Sequence, residues 1–194
     1  MIAGVLLAAG RATRFGGAKL LSRLPGDGEP VGVRSCRSLL AVLPRTVAVV
    51  RPGDAELAAA LRATGALVIA CPDADRGMGA SLACGVAAVG SADGYVVALA
   101  DMPWVAPATT RAVAAALAAG APVAAPWHAG RRGHPVGFGR ECEAALLSLC
   151  GDEGARRIFE ARERDAVRID VDDPGCLADV DRPDDLTTPR IRDG

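Results

Sequence analysis

Aromatic residues are scarce in this sequence, whose 194 residues include three phenylalanines, two tryptophans and one tyrosine. Proteins that bind single-stranded nucleic acid stack bases on aromatic side chains, so membership of that class is not expected. The formal net charge is −1, which gives no electrostatic reason for DNA or RNA to bind. We therefore expect no nucleic-acid partner.

Patterns of cysteine and histidine that are typical of metal centres are also missing. The six cysteines form no C-x-x-C pair, and the two histidines do not cluster with them, which excludes the usual zinc and iron–sulfur sites. In a chain of this size we expect the cysteines to be small buried apolar residues in a reducing compartment. They are Cys36, Cys71, Cys84, Cys142, Cys150 and Cys176.

Long apolar runs are absent as well, since none approaches the roughly 20 residues that a membrane-spanning helix needs. The apolar start, residues 1–10, lacks the basic leading region of a signal peptide and runs directly into a glycine-rich loop. We therefore expect a cytoplasmic protein without a membrane partner. The apolar fraction of 51% predicts one globular domain over residues 1–186, followed by a flexible tail over 187–194.

Short apolar segments alternate with helical patterns along the chain. This alternation predicts an α/β fold with a parallel sheet covered by helices on both faces. The predicted strands are 2–8, 46–50, 67–70, 95–100, 122–126, 136–138 and 167–171. The predicted helices are 33–42, 55–64, 81–89, 109–119, 141–149 and 153–162. Ligands of such sheets bind beyond the carboxyl ends of the strands, where segments 10–19, 73–81 and 101–103 are expected to meet.

The loop after the first predicted strand combines small residues with cations. Its small residues are Gly10, Ala12, Gly16 and Gly17, and its cations are Arg11, Arg14 and Lys19. Glycine lets backbone N–H groups approach a phosphate closely, and cations at fixed positions then meet the anionic oxygens. The loop therefore predicts a triphosphate site, with a glycine-rich turn and solvated cations as the alternative.

The spacing of this loop narrows the kind of site. It is not a Walker A loop, because five residues separate Gly10 from Gly16 and Leu20 stands at the magnesium-binding hydroxyl position. It is not a dinucleotide fingerprint, because Ala12 stands at the second glycine. It resembles the G-x-x-x-R-[FM]-G-x-x-K loop of nucleotidyltransferases.

Carboxylates follow two of the predicted strands. Asp101 ends an apolar strand, where a carboxylate needs a cation, and a triphosphate site supplies Mg²⁺. A helix cap or a turn acid is the alternative. Asp179 and Asp181 alternate, so an extended backbone places both on one side, and one of them is a candidate second metal ligand. Asp184 and Asp185 are expected to face solvent at a helix start.

Two further segments carry binding candidates with open alternatives. Gly77 and Gly79 precede Ser81, which is expected to cap a helix, and contact with the base or ribose is the second possibility. In segment 130–138, Arg131 or Arg132 would reach a phosphate of an anionic second substrate. A solvated basic hairpin is the alternative there.

Segment 151–156 opens a predicted helix with acids in its first turn, which suits the helix dipole without any function. A helix N-terminus with Gly154 and Arg156 can also hold an anion.

Taken in order, segments 7–19, 77–82, 100–103, 130–138, 151–156 and 179–186 resemble the molybdenum cofactor cytidylyltransferases. These form a branch of the molybdopterin nucleotidyltransferases. The resemblance implies a Rossmann-like three-layer α/β/α fold with a mostly parallel sheet. It also implies CTP and Mg²⁺ as co-substrate and cofactor, and transfer of a cytidylyl group to the terminal phosphate of molybdopterin. The products would be molybdopterin cytosine dinucleotide, destined for a molybdenum hydroxylase, and pyrophosphate.

The resemblance also implies roles for individual residues. The implied catalytic residues are Arg14, Lys19 and Asp101, and the implied metal ligands are Asp101, Asp179 and Asp181. The implied nucleotide-binding residues are Leu7, Ala8, Ala9, Gly10, Arg11, Arg14, Lys19, Gly77, Gly79, Ser81 and Asp101. The implied residues for the second substrate are Arg131, Arg132, His134, Pro135, Gly154 and Arg156.

The sequence departs from the family pattern at two positions, and a third position bears on the choice of base. Many relatives carry serine near Ala12, and the cytidylyl enzymes commonly have threonine where Arg182 stands. Guanylyl enzymes commonly read Leu-Ala-Gly-Gly where this chain reads Leu-Ala-Ala-Gly, with Ala9 as the differing residue. The alternatives are a GTP-using molybdopterin guanylyltransferase, a nucleotidyltransferase for a sugar or polyol phosphate, and a non-catalytic protein that binds the molybdenum cofactor.

Overall fold

The structure is a computed structural model that describes residues 1–10, 15, 17–152 and 154–187. Its strands are β1 (Ile2–Leu7), β2 (Thr46–Val50), β3 (Leu67–Ala70), β4 (Gly94–Leu99), β5 (Val123–His128), β6 (Arg131–Arg132), β7 (Val136–Gly139) and β8 (Val167–Asp170). Its α-helices are α1 (Val31–Leu40), α2 (Ala55–Arg62), α3 (Met78–Val89), α4 (Pro107–Ala118), α5 (Glu143–Leu147) and α6 (Arg156–Glu160). Short 3-10 helices include Lys19–Leu21, Ala74–Arg76, Pro174–Leu177 and Pro183–Leu186.

The strands form a single mixed sheet in the order β3-β2-β1-β4-β7-β5. Strands β1 to β4 pair in parallel, and β8 pairs in parallel with β5. Strand β7 is antiparallel to both β4 and β5, and the two-residue strand β6 forms a hairpin with β5. The predicted α/β fold with a mostly parallel sheet is confirmed.

Helices cover both faces of the sheet, because consecutive residues of the central strands are apolar. Val5 faces a core shared with Leu82 of α3 and Phe159 of α6, whereas the next residue, Leu6, faces a core shared with Cys36 of α1 and Val113 of α4. Burial on both faces explains why the central strands read as continuous apolar runs rather than alternating patterns. The result is a three-layer α/β/α arrangement.

Helix α3 lies unusually close to the sheet. A Cβ atom added at Gly85 would stand 2.6 Å from Cγ1 of Val5 and 2.8 Å from Cγ2 of Val49, so only glycine permits this approach. The helix begins at Met78, which corrects the predicted start at Ser81. Its first turn is set by Gly77, whose φ of +122° ends the preceding 3-10 turn, and the Ser81 hydroxyl points back to the Gly77 carbonyl.

Other element ends also differ from the predictions. The helix predicted at 141–149 is a 3-10 turn followed by the five-residue α5, and the one predicted at 153–162 is the five-residue α6. Since α5 ends at Leu147, Cys150 emerges in an exposed turn, so its predicted burial is wrong; Cys84 is half-buried. The other four cysteines are buried as predicted.

Several predictions concern positions outside the described residues. These are Arg11, Ala12, Arg14 and Gly16 of the glycine-rich loop, and residues 188–194 of the predicted tail. Within the ranges that the structure describes, no helix has the length and apolar character required to cross a membrane.

Candidate active site

A cavity of about 980 Å³ opens at the carboxyl ends of β1, β2, β3 and β4, which is large for a small-molecule site. The segments that follow these strands contribute to its wall, including Gly10 and Lys19 after β1, Ser81 beyond β3 and Asp101 after β4. The structure thus brings together the three segments that the strand-end rule had predicted to meet. Leu7, Ala8, Ala9 and Gly77 also line this cavity.

Three carboxylates gather at one end of the cavity. One oxygen of each of Asp101, Asp179 and Asp181 can be chosen so that all three lie within 4.8 Å of one another, and all three side chains are half-buried. Hard divalent cations prefer such oxygen donors, so the cluster suits Mg²⁺ or Mn²⁺ by its chemistry. The predicted alignment of Asp179 and Asp181 on one side agrees with this grouping.

A lysine already places a positive charge among these carboxylates. Nζ of Lys19 donates a hydrogen bond to Oδ2 of Asp101 at 2.7 Å and lies 3.7 Å from Oδ1 of Asp181. The Lys19 side chain is only 12% exposed, so water screens this contact weakly. The cluster therefore accommodates a cation in the geometry that it has here.

The segment that carries Asp179 and Asp181, here called the acidic segment, is attached to the end of β4 through its backbone. The backbone N–H of Val180 donates to the carbonyl of Asp101 at 2.8 Å, which places Asp179 and Asp181 beside the end of β4. The Val180 side chain is fully buried with Leu24 and Val31 in a small apolar cluster. Phe15 and Leu20, which flank Lys19 in the chain, and Leu186 pack against the same cluster. One small apolar cluster thus contacts residues on either side of Lys19 and also the acidic segment.

Asp185 contradicts the sequence prediction that it faces solvent. Its side chain is 2% exposed, and Oδ2 accepts hydrogen bonds from the backbone N–H groups of Asp181 at 2.9 Å and Arg182 at 2.7 Å. The neighbouring Asp184 is exposed as predicted. The carboxylate turns inward because the chain reverses at Pro183 and leaves two N–H groups to be satisfied.

Asp173 anchors the chain that leads into the acidic segment. Its buried carboxylate accepts hydrogen bonds from the N–H of Ala106 at 3.0 Å, the hydroxyl of Thr109 at 2.5 Å and the N–H of Gly175 at 3.0 Å. It thereby joins the N-terminal turn of α4 to the 3-10 helix Pro174–Leu177. Sequence reasoning did not single it out.

We expect Asp173→Ala to lower the free energy of unfolding by about 2–4 kcal/mol, because two buried donors and one partly buried donor lose their acceptor. Urea denaturation followed by circular dichroism measures this change. Asp184→Ala removes an exposed acid nearby and should leave the unfolding free energy within about 0.5 kcal/mol of wild type. A midpoint for Asp173→Ala equal to that of the control would contradict the anchoring role.

The cavity wall also holds charged residues that sequence reasoning missed. Arg51 follows β2 and forms an ion pair with Asp75 of the 3-10 turn after β3, and both line the cavity. Asp54 and Glu56, at the start of α2, line it too. The signal was available, because residues that follow β2 obey the same strand-end rule as those after β1, β3 and β4.

The N-terminus of α3 faces the cavity in part. Gly77, Met78 and Ser81 line the wall, but the N–H of Gly79 donates to the carbonyl of Gly151 at 2.9 Å. A Cβ atom at Gly77 would lie 2.3 Å from the Asp152 side chain, so the loop after α5 packs directly on this turn. Asp152, another residue that the sequence did not single out, reaches the cavity by this packing.

The predicted residues for a second substrate lie away from this cavity wall. Arg131 and Arg132 form β6, which pairs with the end of β5 in a hairpin. The Arg132 guanidinium lies 4.3 Å from the ring centroid of Phe159. Gly154 lies beside Met78, and Arg156 is 80% exposed and paired with Glu160.

His134 and Pro135 line a small separate pocket with Leu99 and Met102. Burial lowers the pKa of His134 to about 4 against the opposing effect of Asp101, so the imidazole is neutral at pH 7. Among the described residues its buried Nδ1 has no hydrogen-bond partner. Because Leu99 is the last residue of β4, this shared pocket places His134 near the end of that strand.

The charge of the cavity wall is predominantly negative. Among the described residues that line it, the cations are Lys19 and Arg51, and the carboxylates are Asp54, Glu56, Asp75, Asp101, Asp152 and Asp181. A polyanionic ligand would be repelled by such a wall unless cations were added. The wall contains no cysteine or histidine among the residues described, so it offers neither of these nucleophiles.

A family model described as a MobA-like NTP transferase domain matches residues 4–167 of this chain. The chain belongs to the MobA-like NTP transferase family. Its fold, with a cavity at the carboxyl ends of parallel strands, agrees with this membership. The description of the family gives nucleotidyl transfer as its activity.

Individual relatives support the family and its fold. Purine catabolism protein PucB of Bacillus subtilis is 32% identical, covering 94% of this chain and 92% of its own length. The crystal structure of Rv0371c from Mycobacterium tuberculosis is 32% identical, covers 95% of this chain and 94% of its own, and has a TM-score of 0.82. Rv0371c was also solved in complex with manganese, at 27% identity over 88% of both chains and a TM-score of 0.73.

A more distant structure shares the fold alone. The molybdopterin-guanine dinucleotide biosynthesis protein A of Archaeoglobus fulgidus is 22% identical over 96% of this chain and 95% of its own, with a TM-score of 0.64.

Proposed function

We propose that the protein transfers a cytidylyl group from CTP to the terminal phosphate of molybdopterin, giving molybdopterin cytosine dinucleotide and pyrophosphate. The observation that carries the proposal is the Lys19–Asp101 pair beside Asp179 and Asp181, at the carboxyl ends of the strands and in the wall of a large cavity. Lysine and carboxylate-bound metal are the two groups that align and neutralise a triphosphate.

The reaction needs no enzyme nucleophile. An oxygen of the acceptor phosphate forms a bond to the α-phosphorus of CTP, the bond from that phosphorus to the bridging oxygen breaks, and pyrophosphate leaves with the electron pair. A phosphate monoester has a second pKa of about 6 and is therefore largely dianionic at pH 7. Because the attacking oxygen then carries no proton, it needs no general base. The absence of cysteine and histidine from the described cavity wall is compatible with this chemistry.

The chain's own residues supply orientation and charge. Asp101, Asp179 and Asp181 would hold Mg²⁺, and Lys19 would donate hydrogen bonds to triphosphate oxygens. When bound, Mg²⁺ offsets the negative charge of the phosphates during transfer. The described part of the wall favours an added cation, because it holds six carboxylates and two cations. Arg11 and Arg14, which lie outside the described residues, remain proposed contacts for the triphosphate. Rv0371c was solved in complex with manganese, which supports a divalent metal as the cation.

Support for the acceptor comes from segments 130–138 and 151–156, which resemble those of the molybdopterin branch. Arg131, Arg132, His134, Pro135, Gly154 and Arg156 remain the proposed contacts for the acceptor. Support for cytidine over guanosine comes from Ala9. This residue is 5% exposed and lines the cavity just after β1, where its methyl group would narrow the space for a purine.

The deciding experiment measures pyrophosphate release with molybdopterin as acceptor while CTP and GTP compete. We expect CTP to be preferred. Preference for GTP would indicate a guanylyltransferase, and turnover confined to sugar or polyol phosphates would replace molybdopterin as acceptor. Failure to bind CTP in calorimetry would favour a non-catalytic protein that binds the cofactor.

We expect Ala9→Gly to weaken the preference for CTP over GTP, because a methyl-sized contact is worth about 1–3 kcal/mol of discrimination. The ratio of kcat/KM values for the two nucleotides measures this change. Ala3→Gly is a matched control, since Ala3 is buried in β1, the strand that leads to Ala9, and faces the same core without lining the cavity. An unchanged ratio in Ala9→Gly would remove Ala9 from base selection.

A further inference from the structure

Asp185 is a buried acid that the proposed chemistry does not use. It belongs to the 3-10 helix Pro183–Leu186 and is 2% exposed, whereas Asp184 beside it is exposed. Burying a carboxylate is costly unless hydrogen bonds offset the loss of water. The contacts that Asp185 makes are therefore informative about what its burial achieves.

Those contacts converge on the backbone of a proposed metal ligand. A single oxygen, Oδ2, accepts from the N–H of Asp181 at 2.9 Å and from the N–H of Arg182 at 2.7 Å. Hydrogen bonds from N–H groups to a carboxylate are about twice as strong as neutral ones. Together they close a tight turn over residues 181–185 and restrict the backbone of Asp181.

Asp181 is consequently held from both sides. The preceding residue, Val180, is fully buried, and its N–H is bonded to the Asp101 carbonyl. The following turn is fixed by Asp185. Between these two attachments the Asp181 carboxylate faces Asp101 and Lys19, with Oδ1 at 3.7 Å from Nζ of Lys19.

We propose that Asp185 is a positioning residue that sets the Asp181 carboxylate in the metal-binding arrangement and thereby determines the affinity for the divalent cation. The proposal rests on the metal site of the proposed function. Groups that orient metal ligands from behind typically change metal affinity by about 10–100-fold when they are removed. Asp185 acts on the backbone of the ligand rather than on its side chain.

The test measures binding of Mn²⁺ alone to the full chain, by the electron paramagnetic resonance signal of free Mn²⁺, without any nucleotide. We expect Asp185→Ala to weaken Mn²⁺ binding by about 10-fold or more. Asp185→Asn keeps an oxygen that can accept both hydrogen bonds and should stay within about threefold of wild type. Asp184→Ala is the matched control, because it removes the same charge from the exposed neighbouring residue and keeps both hydrogen bonds to Oδ2 of Asp185.

Thermal melting of each variant separates positioning from a purely structural role. A purely structural Asp185 would lower the melting temperature of Asp185→Ala and leave the Mn²⁺ affinity of the folded protein unchanged, which would overturn the proposal. Equal weakening in Asp184→Ala would also overturn it, since net charge would then explain the effect. Should Asp185→Ala not fold, Asp185→Ser replaces it, with a hydroxyl one bond short of the carboxylate oxygen and the same expected loss.

Failure of the proposed function is distinguishable from failure of this inference. A wild-type protein that binds no Mn²⁺ contradicts the metal site itself. A wild-type protein that binds Mn²⁺, together with an Asp185→Ala protein that binds it equally well, contradicts the positioning role alone.

Discussion

Asp101→Asn is expected to lower kcat for pyrophosphate release roughly 10³-fold or more while the protein remains folded, because removing one metal-binding charge forfeits several kcal/mol of transition-state stabilisation. Asparagine has nearly the same shape as aspartate, so the packing at the end of β4 should persist. The substitution also removes the charge that pairs with Nζ of Lys19 at 2.7 Å. One change would therefore disturb two of the groups that are proposed to act on the triphosphate.

The measurement is pyrophosphate release at limiting and at saturating Mg²⁺, with circular dichroism to verify the fold. Asp184→Asn makes the same chemical change at an exposed acid and should retain normal activity. Excess Mg²⁺ should restore little activity to Asp101→Asn, because the asparagine side chain that replaces the carboxylate carries no charge at any Mg²⁺ concentration. Near-normal turnover of the folded variant at limiting Mg²⁺ would remove Asp101 from the metal site.

The location of the cavity followed from sequence because it depends on topology. Parallel strands present their carboxyl ends at one edge, so identifying β1, β3 and β4 was enough to bring Gly10, Ser81 and Asp101 together. The same rule would have found Arg51 after β2. Arg51 belongs to no recognisable motif, so its position after a strand is the sequence signal that indicates it.

Other features could not be predicted because tertiary contacts decide them. The run Asp181-Arg-Pro-Asp-Asp185 contains three acids, and nothing in their order indicates that Asp185 turns inward while Asp184 stays in water. That choice depends on which N–H groups the turn leaves unpaired. Likewise, the contact of Gly77 with Asp152 joins segments more than 70 residues apart in sequence.

The lengths of the two short helices, α5 and α6, are also decided by tertiary contacts and could not be predicted from the sequence. Segments 141–149 and 153–162 have helical composition, yet α5 and α6 keep only five residues each. Isolated helices of this length are marginal, so packing decides where they end. Leu146 and Phe159 bury against the sheet, and the turns between them are shaped by the contact of Gly151 with Gly79 rather than by local preference.

Lys19→Ala is expected to lower kcat by roughly 10²-fold or more with a smaller effect on KM for CTP, provided that Lys19 stabilises charge that develops during transfer. The structure adds a second expectation. Because the Lys19 ammonium group is bonded to Asp101 and lies near Asp181, it competes with any cation for these carboxylates. Its removal should therefore leave Mn²⁺ affinity equal to or higher than that of wild type, even though turnover falls.

This pair of readouts separates Lys19 from a metal ligand and from a simple binding residue. Lys19→Arg is the control that keeps the charge but changes its shape, and it should recover only part of the lost rate because a planar guanidinium places its donors differently. An unchanged kcat with a raised KM for CTP would reduce Lys19 to ground-state binding. Weaker Mn²⁺ binding in Lys19→Ala would show that the ammonium group supports the acidic cluster, and the competition inferred from the 2.7 Å contact would be wrong.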